Sequence, residues 1–220
     1  MEQKKSLKAA VVLSGCGVYD GSEIHEAVVT LLNLQKNGAG VKFFAPDIEQ
    51  AHVVDHLLGT PEEGERRRVL EESARIARGD ISPLSEYKSA DFDMLIFPGG
   101  FGAAKNLCTF AFDGPDCKVE PSVEKAILTT LDAGKKLGFI CISPVIGAKV
   151  IGGDVELTIG NDAGTAAAIE KMRARHVNCA ADSYVKDSKR EVYSTPAYML
   201  AANVVELDKG IGAMISAMAK

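Results

Sequence analysis

Two rhythms of apolar residues alternate along the chain. Four short runs, Leu7 to Leu13, Val41 to Ala45, Met94 to Phe97 and Leu137 to Cys141, are almost wholly apolar and of strand length. Between them apolar residues recur at helical spacing, over Glu23 to Asn37, Glu65 to Arg78 and Pro121 to Ala133. Gly38, Gly79 and Gly134 stand where those helices would stop, and Pro144 suits the first turn of another. Buried strands separated by helices predict a mostly parallel sheet covered on both faces, so the fold class is α/β.

After Gly152 the pattern changes. Val155 to Ile159 reads as a strand, Thr165 to Arg173 as a helix, and Ser183 to Lys186 can pair with Val192 to Thr195 across the polar turn Asp187 to Arg190. This predicts a mixed edge to the sheet, with Met199 to Met218 closing it as one or two helices. No repeat or linker interrupts the 220 residues, so one domain over 1–220 is expected.

Composition narrows the partners. Lys and Arg total 25 against 30 Asp and Glu, a formal net charge of -5 without the basic footprint of nucleic-acid binding. No apolar run reaches membrane-spanning length. The lysines Lys4 and Lys5 resemble the start of a signal peptide, but the apolar run behind them is short and reads as a first strand. Five cysteines, an odd number with no Cys-x-x-Cys pair, fit a reducing compartment: cytoplasmic, or the mitochondrial matrix if a transit peptide was removed.

In open parallel sheets chemistry gathers beyond the carboxyl ends of the strands. The strand Leu137 to Ile140 stops at Cys141, and a helix can resume at Pro144. That puts the thiol on a sharp strand-to-helix turn, a nucleophile elbow, where a helix N-terminus would lower its pKa. Ser143 suits a helix cap there. Pro98-Gly99-Gly100 supplies uncovered backbone N–H groups suited to an oxyanion hole, with the N–H of Ile142 as second donor. Glu23 and Glu26 share a face at the start of the first helix, and either is able to place a protonated carboxyl beside a cysteine. Cys16 follows the first strand and would approach Cys141 if strands one and four were neighbours. With Gly99 and Asn106 it forms the set of substrate-pocket candidates. His52 and His56 have a spacing that serves metal sites on helices, but no third ligand is recognisable, and no metal is assigned.

Three segments carry a resemblance. Ser14 to Glu26 (SGCGVYDGSEIHE), Phe97 to Leu107 (FPGGFGAAKNL) and Cys141, together with Ala45-Pro46-Asp47, Ala74 to Gly79 and Thr195 to Met199, resemble the ElbB branch of the PfpI-like superfamily, relatives of the class-I glutamine amidotransferases. The resemblance spans nearly the whole chain. It implies a flavodoxin-like three-layer sandwich with a nucleophile at Cys141. It further implies Glu26 as the cysteine-contacting acid, Glu23 one turn earlier, and oxyanion donors at Gly100 and Ile142. The branch is associated with glutathione-independent conversion of glyoxal to glycolate and with a genetic link to isoprenoid production. A small aldehyde substrate, no cofactor and a homodimer are therefore expected.

The chain also departs from the superfamily. Ile142 stands where protease-like members carry a histidine after the nucleophile, so peptidase activity is not expected. His176-Val177-Asn178 does not supply the late His-x-Glu of true glutaminases. Two rival readings use the same residues. One is a non-catalytic, redox-responsive or ligand-binding protein whose Cys141 is oxidised to sulfinic acid; the other is a subunit lending its cavity to a larger complex.

Overall fold

Strand residues of the core point alternately to two opposite layers, as a sheet buried on both faces requires. In β1 (Lys8–Val12) Ala9 and Val11 face one layer, while Ala10 and Val12 face the other. The computed structural model describes residues 7–220, so Lys4 and Lys5 lie outside it. After β1 come α1 (Ile24–Lys36), β2 (Gly40–Ala45), the small pair β3 (Val54–Asp55) and β4 (Thr60–Pro61), α2 (Val69–Ile76), β5 (Ile81–Pro83) and β6 (Met94–Phe97). Then follow α3 (Phe101–Lys105), α4 (Phe110–Asp113), α5 (Pro121–Asp132), β7 (Lys136–Ile140) and α6 (Pro144–Ile151). The chain ends with β8 (Glu156–Leu157), α7 (Ala163–Lys171), β9 (Arg175–His176), β10 (Val185–Lys186), β11 (Val192–Thr195) and α8 (Val204–Met218).

The main sheet has the order β10-β11-β7-β6-β1-β2-β5, parallel throughout except for the antiparallel edge strand β10. On one face α1 and α8 pack with Ile96, Ile140 and Tyr193 of the sheet. On the other, α3, α5 and α6 cover Leu95, Phe97, Leu137 and Phe139, with the rings of Phe97 and Phe139 stacked at 5.4 Å. This is the flavodoxin-like three-layer sandwich, and the parallel core places the ends of β1, β6, β7 and β11 along one rim.

Several expectations change. The helix expected over Glu65 to Arg78 starts only at Val69, because Glu49 bridges Arg68, and Val69 N–H donates to the Ile48 carbonyl at 2.9 Å. The extended pairing consumes the residues that would have formed its first turn. β5 was not foreseen: its three residues, Ile81-Ser82-Pro83, are half-buried at the sheet edge and too few to show a pattern. The Val155 to Ile159 strand shrinks to β8, since Thr158 N–H turns to Ser194 Oγ at 2.9 Å and leaves the ladder with β9. The condition under which Cys16 would approach Cys141 is not met: strands one and four are not neighbours, because β6 lies between β1 and β7.

Candidate functional site

Cys141 occupies the turn between β7 and α6 with φ of 62°, a left-handed conformation that costs a non-glycine residue energy and persists where neighbours enforce it. Ser143 does much of the enforcing. Instead of capping α6, its Oγ accepts the Ile140 N–H at 2.7 Å and donates to the Phe97 carbonyl at 2.8 Å, tying the elbow to β6. Cys141 N–H donates to the Thr195 carbonyl at 3.0 Å, tying it to β11.

Glu26 lies in the first turn of α1 and is fully buried. Its Oε2 accepts the Gly99 N–H at 2.9 Å, its Oε1 the Tyr198 N–H at 3.3 Å, and its carboxyl hydrogen-bonds to Cys141. Burial first, then the charge of Glu23, holds this carboxyl up to about 8. Glu23 is the N-cap of α1: its Oε2 accepts the Glu26 N–H at 2.7 Å, and its side chain faces the cavity. Of the two candidate acids, only Glu26 touches the sulfur.

The Cys141 thiol is pushed well above its ordinary value, by burial first and then by the charge of Glu26. This reverses the lowering expected from a helix N-terminus, because the sulfur sits within the packed layer rather than out in front of α6. The backbone N–H groups of Gly100 and Ile142 pull the other way by hydrogen-bonding to the sulfur. Gly99 makes this convergence possible: a Cβ there would collide with Cys141 Cβ and Glu26 Oε2. Gly100, with φ of 93°, turns its N–H inward as the chain enters α3.

A cavity of about 580 Å³ opens over Cys141. Val18, Phe101, Ala104, Phe110, Ile142 and Met199 form an apolar wall, while Glu23, Asp162, Thr165 and Tyr198 supply polar edges. Cys16 and Asn106 are not among its lining residues. Cys16 instead faces the α2 pair Glu72 and Arg75, on the far side of β1 from β7, and burial raises its thiol. The buried Asn106 braces the loop after β1 from below, donating to the Ser14 and Asp20 carbonyls at 2.8 Å and accepting the Ala51 N–H at 2.9 Å. Gly99 belongs to the floor under the sulfur rather than to the cavity wall.

Histidines occupy the margins. His25 Nδ1 lies 2.9 Å from the Tyr198 hydroxyl and 3.8 Å from Glu23, so it faces the cavity rim. His52 and His56 lie in irregular chain around β3, where His52 meets the Phe112 ring and His56 Nε2 accepts the Tyr19 N–H at 3.3 Å. His176 is in β9, outside the cavity lining. Tyr198 is the contributor that residue patterns did not single out. Its signal was positional: Thr195 ends β11, and Ala197 turns back at φ of 47°, presenting the Tyr198 N–H to Glu26.

A carboxyl whose proton is held more tightly in the folded than in the unfolded chain lowers stability as pH rises from the unfolded value of about 4.3 toward 8. Glu26→Gln removes that linkage. The unfolding free energy of the wild type is expected to fall relative to the variant by on the order of 4 kcal/mol across this window. Urea titrations of both proteins at pH 5 and pH 8 measure it, and parallel pH profiles would remove the buried acid from Glu26.

No family model matches the chain. It is 50% identical over 222 residues to the human glutamine amidotransferase-like class 1 domain-containing protein 3, mitochondrial, covering 96% of this chain and 82% of the relative. It is likewise 50% identical to the rat ES1 protein homolog, mitochondrial, over 94% of this chain and 81% of that one. These relatives are mitochondrial proteins, the second of the two settings expected from the sequence. The crystal structure of an isoprenoid biosynthesis protein with amidotransferase-like domain from Ehrlichia chaffeensis superposes with a TM-score of 0.90 at 39% identity, covering 96% of this chain and 97% of that one. Glyoxalase III from Candida albicans shares the fold, with a TM-score of 0.61 at 14% identity, over 97% of each chain. The chain belongs to the glutamine amidotransferase-like class 1 domain proteins that include the ES1 homologues.

Proposed function

We propose that this protein is a cofactor-independent, glyoxalase-type enzyme that converts reactive α-oxoaldehydes to hydroxy acids on Cys141. One observation carries the reading: two backbone N–H donors and one protonatable carboxyl converge on a single sulfur at the floor of a cavity. The donors suit an oxyanion on a carbon bonded to that sulfur, and the carboxyl suits proton transfer at the next bond.

The reactive form of the pair carries one proton between Glu26 and Cys141. Sulfur attacks one aldehyde carbon, the proton stays on Glu26, and the Gly100 and Ile142 N–H groups hold the new oxyanion. Glu26 protonates that oxygen, giving a hemithioacetal, and as carboxylate takes the hydrogen from the same carbon. The hydroxyl proton passes to the neighbouring oxygen of the enediolate, and Glu26 returns the carbon-bound proton to the neighbouring carbon, which leaves an α-hydroxy thioester. Water then releases the hydroxy acid and restores the thiol. Every proton removed is returned, so no oxidant or cofactor is called for.

The cavity bears on substrate size. Glyoxal has four heavy atoms, whereas about 580 Å³ lies in the range that holds much larger ligands. The wall of Val18, Phe101, Phe110 and Met199 favours an apolar substituent on the oxoaldehyde. We extend the proposal to a homodimer on the family resemblance, supported by Ile24, Val28 and Leu32, which α1 leaves exposed four residues apart in one stripe.

Three outcomes follow. In glutathione-free buffer, glyoxal yields glycolate beyond one equivalent with the wild type and none with Cys141→Ser. Phenylglyoxal is turned over with kcat/KM higher by about tenfold. No turnover, with added oxygen on Cys141 in the intact mass, would transfer the site to the sulfinate-forming reading. Second, kcat/KM rises with pH up to about 8 and levels off above it, because the first proton must leave the pair. Glu26→Gln lowers kcat about 100-fold or more, and a pH-independent wild-type rate would exclude this shuttle. Third, light scattering gives the mass of a dimer, and a monomer mass at micromolar protein would withdraw the homodimer.

A further inference from the structure

The segment that walls the cavity carries a second pair of sulfurs, remote from Cys141. Cys108 and Cys117 bracket α4, and both are buried, at 2% and 1% exposure. Cys108 forms an antiparallel bridge with Val119, supported by Thr109 N–H on the Lys118 carbonyl and Glu120 N–H on the Leu107 carbonyl, each at 2.9 Å. Cys117 lies two residues before Val119, so strand alternation turns its side chain to the same face as Cys108. The two thiols accordingly pack in one core layer.

The pair is asymmetric. Cys117 forms part of a surface hollow of about 420 Å³, shared with Lys118, Glu124 and Lys149. The hydrogen bond from Cys108, offset by burial and helped by the Lys149 ammonium, holds the Cys117 thiol below its ordinary value. Lys149 is held in place by donating from Nζ to the Pro115 carbonyl at 2.9 Å. Cys108 lies behind Cys117, its thiol raised first by its hydrogen bond to Cys117 and then by burial, with its sulfur 3.4 Å from the Ala103 carbonyl oxygen. An outer sulfur at the hollow with its thiol lowered and an inner sulfur packed in the same layer form the arrangement of an attacking and a resolving thiol.

We propose that Cys108 and Cys117 are a reversible dithiol–disulfide site that exchanges with low-molecular-weight disulfides entering through the hollow beside Lys149. Cys117 thiolate attacks one sulfur of the small disulfide, forming a mixed disulfide and releasing one thiolate. Cys108 then gives up its proton and attacks the Cys117 sulfur, releasing the second small thiol. The protein loses two hydrogens and the small disulfide gains them. The ring so closed contains Phe110 and Ala111, which line the cavity above Cys141, so the new bond lies in the wall of the candidate site. The exchange chemistry does not depend on any reading of Cys141.

Oxidised glutathione is the probe, applied to the full-length wild type, Cys108→Ser and Cys117→Ser, with intact mass and peptide mapping. The wild type is expected to lose two of its five titratable thiols, to yield a linked pair of Cys108 and Cys117 peptides, and to recover both on adding dithiothreitol. Cys108→Ser should stop at a glutathione adduct on Cys117, whereas Cys117→Ser should carry no adduct on Cys108. Linkage through any other cysteine, or adducts confined to Cys16, Cys141 or Cys179 while Cys108 and Cys117 stay free, would overturn the proposal. Either single variant that keeps the wild-type circular dichroism suffices, because each has its own expected product.

Discussion

A carboxyl with no exposure to water is expensive to place unless each of its oxygens finds a partner, and Glu26 finds them on three different strand ends. Gly99, just past β6, donates to one oxygen; Tyr198, just past β11, donates to the other; Cys141, just past β7, meets the carboxyl from the third side. No single loop supplies this set. It exists because the order β11-β7-β6 lays those ends side by side and because α1 begins directly over them. The acid, the strained cysteine and the close approach of Gly99 therefore form one constraint. A side chain at Gly99 would separate the sulfur from the carboxyl, and loss of the Ser143 bridges would release the elbow from β6.

The reach of the sequence follows the same division between local and assembled features. The central strands and α1 were legible because their burial is written continuously, in runs such as Met94 to Phe97 and in the helical spacing up to Asn37. The elbow at Cys141 and the paired glycines were legible as interruptions of such runs, and the motifs around them carried the resemblance to the family. Features decided by pairing were not. The residues before Val69 look helical in composition, yet they are extended because Glu49 and Gln50 pair with them. Cys16 looked like a neighbour of Cys141 only while strand order was unknown. The choice between Glu23 and Glu26 also rested on the resemblance until the hydrogen bonds separated a capping acid from a sulfur-contacting one.

That separation has an electrostatic consequence. Glu23 caps the start of α1, where the helix dipole favours negative charge, and its charge is the second cause, after burial, of the raised Glu26 value. Burial, rather than residue type, is the first cause of the raised Glu26 value. With Glu26 protonated, its charge no longer opposes a thiolate and its proton is available to the sulfur. With Glu26 ionised, the sulfur keeps its own proton. The pair shares protons instead of separating them, so neither group is a strong base or a free thiolate by itself.

Proton handling in this site therefore differs in kind from a cysteine paired with histidine. A histidine following the nucleophile would supply a group that gains positive charge and stabilises a thiolate, but Ile142 offers only its backbone N–H and an apolar side chain at the cavity wall. Acyl transfer from an amide needs an acid for a poor leaving amine, and His25, exposed at the rim on Tyr198, does not reach the sulfur. What remains favours a substrate that demands little: a carbonyl electrophilic enough to accept sulfur without a strong base, whose rearrangement needs one proton moved between adjacent atoms. A reactive oxoaldehyde meets both conditions, and an amide meets neither.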